Sequence, residues 1–353
     1  MYRDIYNIVA QYLGPIYTLK CLDRLSKGAY GLVSKQDRKL LRTLYKMPKD
    51  LRFNYACRKG SISYIMYFAA YCNFHVNGAL ECLKVRNLEA IEWLINNKYI
   101  TKDNGQIVME EACRYGYDAL VFKFVELRTP INVTKLIYNS SIGGSLVLVK
   151  YFWSYLRVKD LEYLNRTSIL EQSVEYGNYQ VTMWLLDHGI NMKINHVKLM
   201  VKAAWANSLD LVKYFHAMGV QGTLGLEWSL HAACYNNNIA MVEFLLEGGA
   251  NLHYNDDMPL VYAIRGQSVD VLEYLETQGC SLKKYIADKG LPYGVKISPE
   301  FKEYMILKDA YTAARSHKRC HIIIMLVIVL AILLCLSSVI IPPIIASIYI
   351  KKQ

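Results

Sequence analysis

The stretch that most constrains this chain is Trp228–Gly249, which reads WSLHAACYNNNIAMVEFLLEGG. Leu230 to Cys234 open a helical pattern, and Asn236, Asn237 and Asn238 break it. Ile239, Met241, Val242, Phe244, Leu245 and Leu246 then recur at helical spacing until Gly248 and Gly249 stop them. A short helix, a turn and a second antiparallel helix form one unit, and that unit cannot bury its apolar face alone. It needs neighbours of its own kind.

Those neighbours can be read from the columns. With Ala233 as anchor, equivalent small residues stand at Ala56, Cys82, Ala112, Ser140, Ser173, Ala203 and Ala263. From Ser173 the step is 30 each time, and earlier steps run from 26 to 33. Three residues before each anchor comes Phe53, Ala79, Met109, Ile137, Leu170, Met200, Leu230 or Leu260. Nine after it comes Ile65, Ile91, Val121, Val149, Thr182, Val212, Val242 or Leu272. Twelve after it comes Phe68, Leu94, Phe124, Phe152, Leu185, Phe215, Leu245 or Leu275. The residue before this last column is aromatic at Tyr67, Trp93, Tyr151, Trp184, Tyr214, Phe244 and Tyr274, with Lys123 in the remaining place. Several registers agreeing together mean a repeat array of about eight units.

On these residues the chain resembles an ankyrin-repeat protein. Leu230-His231-Ala232-Ala233 matches the L-H-x-A core of T-P-L-H-x-A, and Pro259-Leu260 its P-L. Gly60, Gly116, Gly144 and Gly177 fall at the turn between helices, and Gly189, Gly219, Gly249 and Gly279 at the end of the second helix. The helix wording and Asn255-Asp256-Asp257 are similar to ankyrin arrays of giant DNA viruses. The resemblance covers roughly residues 51–282 and implies an all-α solenoid that binds protein partners. Repeats one to four lack most of the glycines, and the 30-residue step is shorter than the family's ~33. Both argue against long β-hairpin fingers. In the family, fingers and first-helix faces build the binding surface. Carried over here, that surface includes Asn191, Met192, Gln221, Thr223, His253, Tyr254, Asn255 and Asp256. The resemblance also gives His231 the role of tying turns together by hydrogen bonds.

Composition narrows the function. Nine cysteines, an odd number without paired spacing, argue against a disulfide framework, and Cys57, Cys113 and Cys234 share one repeat column as small core residues. Twelve Lys and Arg against three Asp between Lys20 and Lys59 carry +9 of the formal +11 charge. Such a stretch reads as a solvated face or a site for an acidic partner or anionic membrane. It lacks the interleaved aromatics of single-strand nucleic-acid binders.

Catalytic and metal motifs find no support. Eight histidines form no H-E-x-x-H and no Cys-x-x-Cys joins them, so no metal or cofactor is expected. Ser26–Val33 and Lys159-Asp160-Leu161 with Asn165 imitate kinase loops, but no Asp-Phe-Gly follows. The chain does not read as an enzyme.

Around the array, residues 1–50 show three short helical patterns, read as a cap for the first repeat or, alternatively, an F-box-like module that recruits a ubiquitin ligase. The array occupies 51–284. Residues 285–319 hold a closing helix, with Phe301, Met305 and Ile306 facing the last repeat, and a basic linker. Ile322 to Ile341 is twenty residues without a charge, followed by Pro342-Pro343 and an apolar run to Ile350. Residues 320–350 are therefore expected to be a transmembrane segment. Arg315, Lys318 and Arg319 flank it on one side, and Lys351 and Lys352 on the other. Cys320 is a candidate for lipidation. With no secretory segment at the start, the expected arrangement is a single-pass, tail-anchored protein with its repeats in the cytosol.

Overall fold

A computed structural model describes residues 43, 46–59, 62–69, 75–156, 166–190, 195–219 and 223–308. Most of the expected N-terminal cap and the whole expected transmembrane segment lie outside these residues. Every described element is a helix. The chain divides into two compact units, residues 1–194 and 195–353.

The first unit contains α1 (Lys49–Lys59), α2 (Ile62–Ala69), α3 (His75–Lys84), α4 (Leu88–Asn96), α5 (Gln106–Arg114), α6 (Asp118–Glu126), α7 (Val133–Gly143), α8 (Leu146–Trp153), α9 (Arg166–Glu175) and α10 (Tyr179–Asp187). The second contains α11 (His196–Trp205), α12 (Leu209–Ala217), α13 (Thr223–Tyr235), α14 (Ile239–Glu247), α15 (Tyr254–Gly266), α16 (Val269–Thr277), α17 (Leu282–Lys289) and α18 (Pro299–Leu307). Odd-numbered helices up to α15 are first helices of a repeat, and each packs on the next first helix within its unit.

The sequence columns become the core. All eight anchors are fully buried, and so are the apolar residues three before and nine after them, with Leu260 alone at 1%. A small side chain at the anchor lets neighbouring first helices approach, while Phe124, Phe152 and Phe215 fill the layer between first and second helices. The aromatic column one residue earlier is half-buried wherever its side chain is described, leaving a row of rings on the second helices. Cys57, Cys113 and Cys234 are buried thiols outside any disulfide, as the column reading expects.

Both helices of a repeat end in the same way. Four residues after the anchor the backbone is left-handed at Arg86, Gly116, Gly144, Gly177, Asn207, Asn237 and Gln267. The next residue's N–H then donates to the anchor's carbonyl, as in Asn87 to Cys82 at 2.9 Å and Asn238 to Ala233 at 3.1 Å. This is the Schellman closure, which satisfies carbonyls that the helix leaves orphaned. The second helices repeat it: Ala250 N–H donates to Leu245 at 2.9 Å behind left-handed Gly249, and Thr129 to Phe124 at 3.1 Å behind left-handed Arg128. Starts are capped by short polar side chains: Asn87, Asn132, Ser145, Asn195, Asn238, Ser281 and Ser298 each accept an N–H three residues on.

Polar ties then join adjacent repeats at the turns. Asn178 donates to the carbonyls of Ser141 and Ile142 at 2.8 and 2.9 Å. Asn236 donates to those of Ala204 and Trp205 at 3.1 and 3.2 Å, and Asn238 to the side-chain oxygen of Asn207 at 2.7 Å. Asn236-Asn237-Asn238 therefore does more than end a helix. It links three repeats, because Asn237 also donates to Asp270 at 2.7 Å.

After the last repeat come α17 and α18. Phe301, Tyr304 and Met305 bury one stripe of α18, and Lys308 binds Glu276 of α16 at 2.8 Å. Ile306 is not part of that stripe, contrary to the sequence expectation, and is 51% exposed. Helical spacing from Phe301 selects positions three and four on and turns the fifth away.

Candidate functional site

The first helices of the second unit carry large rings on their exposed side. Trp205 and Tyr235 each lie two residues after an anchor, at the C-terminal ends of α11 and α13, and Trp228 lies two turns back from Tyr235 on α13. These three are 41%, 43% and 45% exposed, large values for aromatic side chains. Tyr262 on α15 joins them. Trp205 meets Tyr235 at 5.6 Å and Tyr262 at 5.9 Å between centroids. Arg265 extends the face by placing its guanidinium 5.7 Å from the Tyr262 ring.

Beneath this face lies His231. Its ring stacks on Tyr262 at 4.9 Å, meets Trp228 edge-on at 5.5 Å and faces Tyr254 at 6.0 Å. The hydrogen bonds that the ankyrin resemblance assigns to His231 are not formed: both ring nitrogens are buried without a partner. The residues around it are aromatic, so it packs as a ring and has no turn to tie. Burial lowers its pKa to about 4 and keeps it neutral. Nearby Glu227 is also buried. One carboxylate oxygen accepts the N–H of Asn251 at 3.0 Å, and the other has no partner. Desolvation raises its pKa, with the Asn251 N–H opposing.

Four of the residues expected on the binding surface are brought together. His253, Tyr254, Asn255 and Asp256 form the entry to α15, and Tyr254 reaches the aromatic face through His231. Asn255, Asp256 and Asp257 are left-handed in succession, with φ of 48°, 67° and 63°, so the segment is a tight turn instead of a hairpin finger. His253 Nδ1 lies 2.6 Å from Asp257 Oδ1, and Lys289 pairs with Asp256 at 3.1 Å. Thr223 begins α13, while Asn191, Met192 and Gln221 lie outside the described residues. The sequence reading missed Trp205, Trp228, Tyr235 and Tyr262. For Trp205 and Tyr235 a signal was available in the column two after the anchor, which becomes aromatic only at these two; Trp228 and Tyr262 lie outside that column.

The basic stretch is only partly described, and its described end is engaged. Arg52 donates to the carbonyl of Met47 at 3.1 Å, and Arg58 and Lys84 share Glu81 at 2.8 and 2.9 Å. Arg58 and Lys84 hold the Glu81 carboxyl below its ordinary range. Among the described residues no helix is long and apolar enough to cross a membrane. Arg315, Lys318, Arg319, Cys320, Lys351 and Lys352 lie outside them.

Stacked two-helix units with Schellman closures define a helical-repeat protein, here with an exposed aromatic face on its second unit. Comparison with known proteins makes the repeat type specific: residues 199–285 match the family model for ankyrin repeats, in three copies. A putative ankyrin repeat protein, R837, of Acanthamoeba polyphaga mimivirus is 27% identical over 164 residues, which is 43% of this chain and 25% of that protein. The chain thus matches about a quarter of the length of this curated relative.

Proposed function

We propose that the chain is a membrane-tethered ankyrin-repeat scaffold that binds a protein partner on the aromatic face of its second unit. The observation that carries this is the exposed group Trp205, Trp228 and Tyr235 on adjacent first helices, backed by Tyr262. Tryptophan and tyrosine are the side chains from which binding hot spots are most often built, because they bury much area at small entropic cost. The partner is a host protein, a reading supported by the mimiviral relative. The anchor is the uncharged run Ile322 to Ile341, long enough to cross a bilayer as a helix, with the repeats on the cytosolic side. Tethering raises the local concentration of the face, so moderate affinity suffices.

The test compares the full chain with a version ending at residue 319 in cells. The full chain is expected to resist alkaline extraction from membranes and to recruit its bound protein there. The shorter version is expected in the soluble fraction with the same protein bound. A shorter version that stays in the membrane would remove the tether, and loss of the partner from both would remove the scaffold.

A further inference from the structure

We propose that His253, Asp257 and Cys280 form a zinc site that clips the entry of the last repeat to its exit. One ligand atom from each residue lies within 4.8 Å of the other two. They come from two ends of one repeat: His253 and Asp257 from the turn into α15, and Cys280 from the residue that closes α16. Each has a fixed backbone. The His253 N–H donates to Asn251 Oδ1 at 2.9 Å, and the Cys280 N–H to the carbonyl of Leu275 at 3.0 Å. Asp257 is the third of the left-handed residues.

The donor set selects the metal. A thiolate, an imidazole nitrogen and a carboxylate suit zinc, whereas calcium and magnesium require oxygen ligands. Charge also balances, since Zn²⁺ with one thiolate and one carboxylate is neutral. Lys289 is held by Asp256 at 3.1 Å, which leaves Asp257 facing His253. Bonds of about 2.0–2.3 Å to a tetrahedral zinc place ligand atoms about 3.3–3.8 Å apart. The His253–Asp257 contact at 2.6 Å therefore opens slightly and the approach to Cys280 closes, movements that the exposed His253 side chain permits. On binding, the S–H bond of Cys280 breaks, an S–Zn bond forms and the proton goes to solvent. Water takes the fourth position on the exposed side.

The sequence could not show this site. Its ligands are separated by three and by twenty-two residues, and only the repeat's closure brings them together. The experiment uses the full chain in mild detergent, titrated with Co²⁺ as a spectroscopic stand-in and then with Zn²⁺. The expected result is one equivalent of Co²⁺ with a thiolate charge-transfer band and the intense visible bands of tetrahedral cobalt, both erased by Zn²⁺. Cys280→Ser should abolish the band, and Cys234→Ser should keep it. His253→Ala and Asp257→Asn, at accessible positions that leave the fold intact, should each weaken Zn²⁺ binding about tenfold or more. A missing band, a band that survives Cys280→Ser, or unchanged affinity in both His253→Ala and Asp257→Asn would overturn the proposal.

Discussion

The two units differ most in the column two residues after the anchor. In the first unit it reads Arg58, Lys84, Arg114, Ile142 and Glu175, and in the second Trp205, Tyr235 and Arg265. The charged version is self-satisfied, with Glu81 held between Arg58 and Lys84 and Arg114 bonded to Tyr176. The aromatic version leaves large rings in water. Beneath the difference the backbone is the same: buried anchor, left-handed residue four later, and Schellman bond. One repeat scaffold thus carries two versions of this column, charged in the first unit and aromatic in the second, although Tyr115 and Tyr176 also expose rings in the first unit, one residue further along.

If the scaffold is common, matched core changes should cost the same in both units. Phe152→Ala and Phe215→Ala, each removing a fully buried ring, are expected to lose about 3–5 kcal/mol. Hydrogen exchange read by mass spectrometry assigns each loss to its unit, and a loss in one unit alone would break the comparison.

The next largest effect is specific to the second unit. His231 has a folded pKa of about 4 against an ordinary 6.5, so between these values the unfolded chain binds a proton that the folded one does not. Stability therefore falls as pH drops from about 6.5 to 4, by about 3 kcal/mol in all. Glu227, with its raised pKa, acts in the opposite direction at the acid end. The difference between wild type and His231→Phe cancels that contribution. Denaturant unfolding across this range should give a sloping wild type and a flatter variant, and parallel slopes would remove His231 as the cause.

Close approach at the turns tests equivalence again. A Cβ at Gly143 would meet the carbonyl of Cys113, and one at Gly266 that of Tyr235; both glycines lie three after their anchors. Gly143→Ala and Gly266→Ala are each expected to cost about 1–3 kcal/mol in denaturant midpoints. Strongly unequal values would mean that repeats in the two units stack at different spacings.

The smallest effects have opposite signs. Gly219 and Gly249 end second helices at φ of 91° and 97° with open space where a Cβ would stand, so alanine there meets backbone strain alone and should cost about 0.5–1 kcal/mol. Lys98 and Arg128 hold the matching left-handed positions in the first unit without the benefit of glycine, at 62° and 57°. Lys98→Gly and Arg128→Gly should stabilise by about the same amount, since relief of strain outweighs the added freedom of the unfolded chain. Thermal melts order the four variants.

Much of this was legible in the sequence, because the core of a repeat is periodic. Ala233, Val242 and Leu245 fix their counterparts in every unit, and burial follows the columns. The glycines were legible only in part. Arg86 adopts the same left-handed conformation as Gly116, since the Schellman bond outweighs the preference of the residue, and no sequence rule marks it; Asn207, like Asn237, is a residue that tolerates it. The exposed aromatic face was the least legible. His253 and Asp256 were singled out only through the family's finger positions, Trp205 and Tyr235 carry a signal in one column, and Trp228 stands where no periodic rule applies. His231 matched a motif, but its ring neighbours, of which Tyr254 and Tyr262 are distant in sequence, gave it another role.

Site-specific photo-crosslinking measures most directly whether the aromatic face is the working surface. A photoreactive phenylalanine would replace Trp205, Trp228 or Tyr262 on first helices, and Trp93 or Trp184 on second helices, in the full chain in cells. Discrete adducts to one protein from the first group, and none from the second, are the expected result. Adducts confined to Trp93 and Trp184 would place the partner on the second helices and contradict the account.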